Sequence, residues 1–180
     1  MKKVYHSVPT IEFLADTIYK QYGVKAARLY LYRELGGSLY YLTATNGLRY
    51  VLKIYKASDT AEAYQAADIM QYLADNGFPT APVIKTVSGE LCSTIPMPEY
   101  SVKAVLYEFI EGKYPDEETN MPLIARLVAQ MHSLMKDYPG EIRRQGRKTN
   151  IDDALSLWSE FFPHRKVELA ELADYGEIIW

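Results

Sequence analysis

One cysteine, Cys92, stands in the 180 residues, so no disulfide can form within the chain. That usage suits a reducing cytosol. A thiol nucleophile needs a base beside it, and no histidine is near Cys92 in the sequence. The three histidines, His6, His132 and His164, are scattered. No His, Cys and carboxylate set has the spacing of a metal site. Long apolar runs are missing too: none approaches the ~20 residues that a membrane helix needs. No such run follows the charged start Met1-Lys2-Lys3-Val4-Tyr5-His6, so no signal peptide is expected. The expected location is the cytoplasm. A net charge of -3 excludes a broad surface for polyanionic nucleic acid. The one basic cluster, Arg143, Arg144, Arg147 and Lys148, reads as a solvated loop. There is no internal repeat and no low-complexity tract.

What is present is an ordinary globular composition, 48% hydrophobic and 24% charged. Ile11, Leu14, Ala15 and Ile18 predict a helix over 10–22, stopped by Gly23. Three strands follow, Arg28–Leu35, Leu39–Thr45 and Leu48–Tyr55. Gly36-Gly37-Ser38 joins the first two. Asn46-Gly47 joins the next two, as a tight hairpin in which both residues tolerate positive φ. A helix is expected from Ser58-Asp59-Thr60 to about Asn76, with Ala66, Ile69, Met70 and Leu73 as its buried face. Val83–Thr94 reads as a hairpin turning at Ser88-Gly89. Ser101–Ile110 is a continuous apolar strand of the kind buried on both faces.

Beyond it, Pro115–Asn120 reads as an acidic linker, and Pro122 as the first-turn proline of a helix. That helix carries an apolar face of Leu123, Ile124, Leu127, Val128, Met131, Leu134 and Met135. Two further helices are expected at 152–162 and from about Arg165 to Tyr175. The fold class is therefore α+β. An antiparallel sheet with its helix occupies residues 1–112, a linker 113–120, and a helical part 121–180.

Few residues suggest chemistry. Lys53 is a lone cation in an apolar strand, projecting to the same side as Val51 and Tyr55. A buried lysine needs an anion, and a nucleotide phosphate is one; the rival is a side chain snorkelling from an edge strand. Gly36, Gly37 and Ser38 would let backbone approach phosphates, or simply make a turn. Glu62 shares a helix face with Ala66 and could pair with Lys53. It also stands three residues after Asp59, as the second half of a capping box would. The stretch Leu106-Tyr107-Glu108-Phe109-Ile110-Glu111-Gly112 could offer backbone groups to a heterocycle, or be a core strand meeting a loop. His132, beside the apolar helix face, reads as a packing residue.

Four segments, "GGSLYYLTATNGLRYVLKIY", "QYLADNGFPTAPVI", "AVLYEFIEG" and "ARLVAQMHS", stand in that order. Together they resemble the aminoglycoside phosphotransferase, choline kinase and type II homoserine kinase group, over roughly residues 10–135. The resemblance implies a protein-kinase-like fold and transfer of the γ-phosphoryl of ATP to a hydroxyl of a small molecule. It implies that Lys53 holds the nucleotide phosphates and that Gly36, Gly37 and Ser38 cover the nucleotide. Glu108 and Ile110 would bond adenine through their backbone. The family's helix glutamate would fall near Ala66, one turn from Glu62.

The group's catalytic loop begins His-Gly-Asp, and no His-x-Asp occurs here. The sequence therefore reads as the N-terminal part of such an enzyme, inactive alone, with no catalytic residue and no magnesium ligand assigned. The alternative is a non-catalytic nucleotide-binding or assembly module. Asp116, Glu117 and Glu118 could face a cationic acceptor or form an exposed linker. Trp158, Phe161, Phe162, Val167 and Leu172 suggest a homodimer through the C-terminal helices.

Overall fold

The structure, a computed structural model, describes residues 7–113 and 117–142. One compact unit spans Met1–Pro139. A second, Gly140–Trp180, lies almost wholly outside the described residues. The helices expected at 152–162 and 165–175, the aromatic residues proposed for a dimer and the basic cluster at 143–148 lie outside them too.

Helix α1 runs Ile11–Tyr22. Thr10 caps it by accepting the Phe13 N–H on its Oγ1 at 3.3 Å. Gly23 closes it in the left-handed region, donating its N–H to the Tyr19 carbonyl at 2.9 Å. Six strands follow, all paired antiparallel: β1 Ala26–Glu34, β2 Ser38–Ala44, β3 Arg49–Ile54, β4 Val83–Ile84, β5 Ser93–Pro96 and β6 Ser101–Glu108. Their spatial order is β1-β2-β3-β6-β4, with β5 also on β6.

Alternation sorts each strand onto two faces. Tyr40, Leu42, Tyr50, Leu52, Ile54, Val102, Ala104 and Leu106 bury against Leu14, Ile18 and Tyr22 of α1. On the other face Val105 is buried with Ala63 and Ala67 of helix α2, Thr60–Asp75. Strand β6 is thus covered on both sides, as its continuous apolar run foretold.

Three local readings change. In the Asn46-Gly47 turn only Gly47 takes a positive φ. Ala44 donates its N–H to the Leu48 carbonyl at 2.8 Å, which leaves a three-residue loop rather than a two-residue turn. The Ser88-Gly89 turn does form, with Gly89 N–H on the Thr86 carbonyl at 2.9 Å. Its flanks, however, pair with β6 and not with each other: Val83–Ile84 against Tyr107 and Leu106, Ser93–Pro96 against 104–101. A strand buried on both faces has no water on its free edge, so both segments are drawn there to satisfy its backbone.

Helix α2 is also rotated from the expected face. Its deepest residues are Ala63, Ala67 and Leu73, while Ala66, Ile69 and Met70 are half-buried. Alanines let the helix lie close on the sheet, and the bulkier Met70 is left at the margin.

Helix α3 spans Glu117–Lys136 and holds Pro122 inside it, so it begins within the stretch read as a linker. The bond that Pro122 cannot make would reach the carbonyl of residue 118, in the first turn, where one missing bond disturbs little. The far end of α3 meets α2: Tyr72 donates its hydroxyl to the Leu134 carbonyl at 3.0 Å, and Tyr138 donates to the Asp68 carboxylate. Among the described residues no helix is long and apolar enough to cross a membrane.

The β1–β2 turn supplies a test. A Cβ on Gly37, at φ 130, would stand 2.5 Å from the Ile54 carbonyl oxygen, whereas one on Gly36 meets nothing within 4 Å. Gly37→Ala should cost about 2–3 kcal/mol and Gly36→Ala about 1 kcal/mol. Urea denaturation midpoints check the order, and equal losses would contradict the close approach.

Candidate functional site

Lys53 sits on β3, with Leu39 of β2 and Val105 of β6 as its cross-strand neighbours. Strand β3 lies between β2 and β6, so Lys53 has no edge from which to snorkel. Its side chain is half-buried on the face away from α1. There it lines a cavity of about 690 Å³. The walls are Tyr41 and Val51 from β2 and β3, Ala66 and Met70 from α2, Ala81, and the chain from Tyr107 to Ile110. Gly112 and Lys113 complete the rim.

Of the residues singled out in the sequence, Lys53, Glu108 and Ile110 are brought together here. Their backbone groups differ. Glu108 donates its N–H to the Pro82 carbonyl at 3.0 Å, and Phe109 donates to the Arg49 carbonyl at 3.1 Å. Among the described residues the Ile110 N–H has no hydrogen-bond partner. It is a free donor at the cavity wall.

Glu62 is not brought to Lys53. The ion pairs among the described residues are Lys20–Asp16 and Arg49–Glu111. Nor does Glu62 complete a capping box, since Asp59 makes no side-chain cap and takes the Ser58 hydroxyl instead. Ala66 and Met70 of α2 line the cavity, while Glu62, one turn before Ala66 on the same helix face, is not part of its wall. One carboxylate oxygen of Glu62 is buried without a hydrogen-bond partner.

Gly36, Gly37 and Ser38 do not line the Lys53 cavity either. They border a second one, of about 560 Å³, with Val8, Ile54, Met97 and Val102. Ile54 and Val102 belong to the α1 face of the sheet, so this cavity opens on the other side. Tyr55 borders both.

The cavity's aromatic residues went unnoticed in the sequence, although the register carries them. Tyr41 stands opposite Val51, and Val51 opposite Tyr107. Counting back from a two-residue Asn46-Gly47 turn would have paired Val51 with Leu42; only the three-residue loop sets it opposite Tyr41. Tyr41 stacks on Tyr32 at 4.4 Å and meets Phe109 edge-on at 5.6 Å. Burial, with the Tyr55 phenol adding to it, pushes the Tyr107 phenol far above its ordinary value. His132 is exposed, outside the half-buried face of Ile124, Leu127 and Met131. Among the described residues no group of three or more His, Cys, Asp or Glu could hold a metal ion.

A family model described as "Phosphotransferase enzyme family" (APH) matches residues 34–179. The chain belongs to that family. No curated protein sequence matches it. Among solved structures it is similar to the amicoumacin kinase hAmiN in complex with AMP-PNP, Ca2+ and Ami, with a TM-score of 0.63 and 17% identity over 73% of this chain and 42% of that one. It is similar to a microcompartment-associated aminopropanol kinase, with a TM-score of 0.58 and 15% identity over 77% and 44% of the two chains. A third is the spectinomycin phosphotransferase APH(9)-Ia in complex with ADP and spectinomycin, with a TM-score of 0.54 and 14% identity over 95% and 58%. The chain spans about half the length of these structures, and at such identities the likeness is one of fold. That fold is the α+β, protein-kinase-like one that the sequence resemblance implied.

Cys92 stands apart from this site's chemistry. It is buried and donates its thiol to the Ala63 carbonyl at 3.6 Å. Burial pushes the thiol up to about 11, against a small opposing pull from Lys103. At pH 8 the folded protein should react with a thiol reagent about a hundredfold slower than the unfolded chain. Stability should fall as pH rises from about 9 to about 11, because the unfolded chain gives up that proton first. Labelling of the native protein at the unfolded rate would show Cys92 to be accessible.

Proposed function

We propose that the unit over residues 7–113 is the nucleotide-binding half of an ATP-dependent phosphotransferase acting on a small molecule, as its family membership suggests. The observation that carries this reading is the pairing, in one cavity, of a half-buried cation and a free backbone donor with apolar walls between them. Lys53 would hold phosphate oxygens, and the Ile110 N–H would take an acceptor on the base. Tyr41, Val51 and Ala81 offer the flat apolar surface that a heterocycle needs. The volume of about 690 Å³ is in the range of such ligands.

Bound ATP would supply the γ-phosphoryl group. This chain's described residues would hold and orient it. Two of the similar structures hold AMP-PNP or ADP. The names of all three point to small-molecule acceptors. A hydroxyl acceptor, a cytoplasmic setting and the participation of Gly36, Gly37, Ser38 and Glu62 in covering or bracing the nucleotide belong to the same proposal. Glu62 would have to shift along its helix face to do so.

One observation favours a second reading, a nucleotide-binding or assembly module without turnover: Ala66, not a carboxylate, faces the cavity beside Lys53. On either reading these residues alone are expected to give no turnover, and steady phosphorylation of a small hydroxyl compound by the pure protein would overturn that expectation. Binding itself is tested by calorimetry with AMP-PNP. Lys53→Ala should weaken it at least about tenfold, the scale of a charge-assisted hydrogen bond. Equal affinity in the variant would remove Lys53 from the site.

A further inference from the structure

A lysine that binds phosphate needs something to hold it in place beforehand, since its four-carbon stem is loose. A carboxylate would do this but would also spend part of the charge. Lys53 has none: it forms no ion pair among the described residues, and Ala66 occupies the wall where α2 comes nearest the cavity. Its ammonium instead lies over the ring of Tyr55, with Nζ 4.2 Å from the ring centroid.

Tyr55 is well placed to hold a cation still. The residue is 5% exposed and packs with Ala63, Ala67 and Val105 between sheet and α2. Its backbone is tied down, with the N–H donated to the Lys103 carbonyl at 2.8 Å. The ring is therefore fixed by the core. Its hydroxyl is buried and stands beside the Tyr107 phenol. The face of the ring is what Lys53 meets.

We propose that Tyr55 is the positioning residue for Lys53, holding the ammonium by its aromatic face in place of a carboxylate; this rests on the reading of Lys53 as a phosphate ligand. A ring face attracts the cation through its quadrupole without neutralising it. The three N–H donors keep their full charge for an incoming anion. The order of the side chain is established before binding, which reduces what association must immobilise. Lys113, on the rim of the same cavity, adds positive charge to it, and Glu108 is the one carboxylate on its wall.

The test reads the contact and its consequence separately. In protein with 13C-labelled lysine, the Lys53 ε-methylene resonance is assigned by its disappearance in Lys53→Arg. It should lie upfield of the other lysines in the wild type and in Tyr55→Phe, from the ring current, and return to the ordinary position in Tyr55→Leu. AMP-PNP affinity should stay within about twofold in Tyr55→Phe and fall about three- to tenfold in Tyr55→Leu. An unshifted Lys53 resonance in the wild type overturns the proposal, whether or not Tyr55→Leu folds. So does wild-type affinity in a folded Tyr55→Leu, or a loss in Tyr55→Phe equal to that in Tyr55→Leu, which would place the effect in the hydroxyl. If Lys53→Ala leaves AMP-PNP affinity unchanged, it is the phosphate reading that fails, and the role given to Tyr55 with it, while the ring-current shift would persist.

Discussion

Strand β6 is the constraint on which the other elements depend. It is paired along one edge with β3 and along the other with β4 and β5. It is covered on one face by α1 and on the other by α2. Ala104, Val105 and Leu106 are wholly buried. Burying a Val or Leu side chain fully is worth roughly 1.5–3 kcal/mol. A one-residue slip of this strand would exchange its two faces and lose both sets of contacts. The fixed register then sets Lys53 opposite Val105 and Val51 opposite Tyr107. The cavity wall is in this sense a by-product of a strand that has only one way to pair.

The same economy governs α2. Ala63 and Ala67 have almost no side chain to keep the helix away from Val105 and Tyr55. Close approach fixes the helix's rotation, which brings Ala66 and Met70 to the cavity wall. Glu62 lies one turn earlier on that face and forms no ion pair with Lys53 among the described residues, and an aromatic ring, already buried for reasons of packing, stands under the cation.

Much of this was legible in the residues. Helix α1 could be read from its apolar spacing and its closing glycine, because a glycine stop is local chemistry. Strand β6 could be read as buried on both faces because only such a strand is apolar without alternation. The strand that carries Lys53 was legible, but its place between β2 and β6 was not, so an edge position stayed open until the pairing was seen. What could not be read depends on which surfaces meet. The rotation of α2 is decided by how closely two alanines can approach a sheet, and no periodicity in the helix itself reports that. The flanks of the Ser88-Gly89 turn look like partners for each other until the unsatisfied edge of β6 competes for them. The separation of the glycine turn from the Lys53 cavity arises because Gly37 lies against the Ile54 carbonyl. A pair of glycines in a sequence signals close approach without saying to what.

The free donor at Ile110 depends on its neighbours being held. Phe109 is anchored by its N–H on the Arg49 carbonyl and by its ring against Tyr41. The Arg49 guanidinium lies 4.2 Å from the centre of that same ring and pairs with the Glu111 carboxylate. Residues on both sides of Ile110 are thus fastened to one side chain at the start of β3. An amide left without a partner in a loose loop would swing to water. Between two such anchors it keeps a fixed place at the cavity wall, in the same strand-β3 frame that carries Lys53. Both polar features of the cavity are therefore tied to strand β3, Lys53 by standing in it and Ile110 through its neighbours' contacts with Arg49.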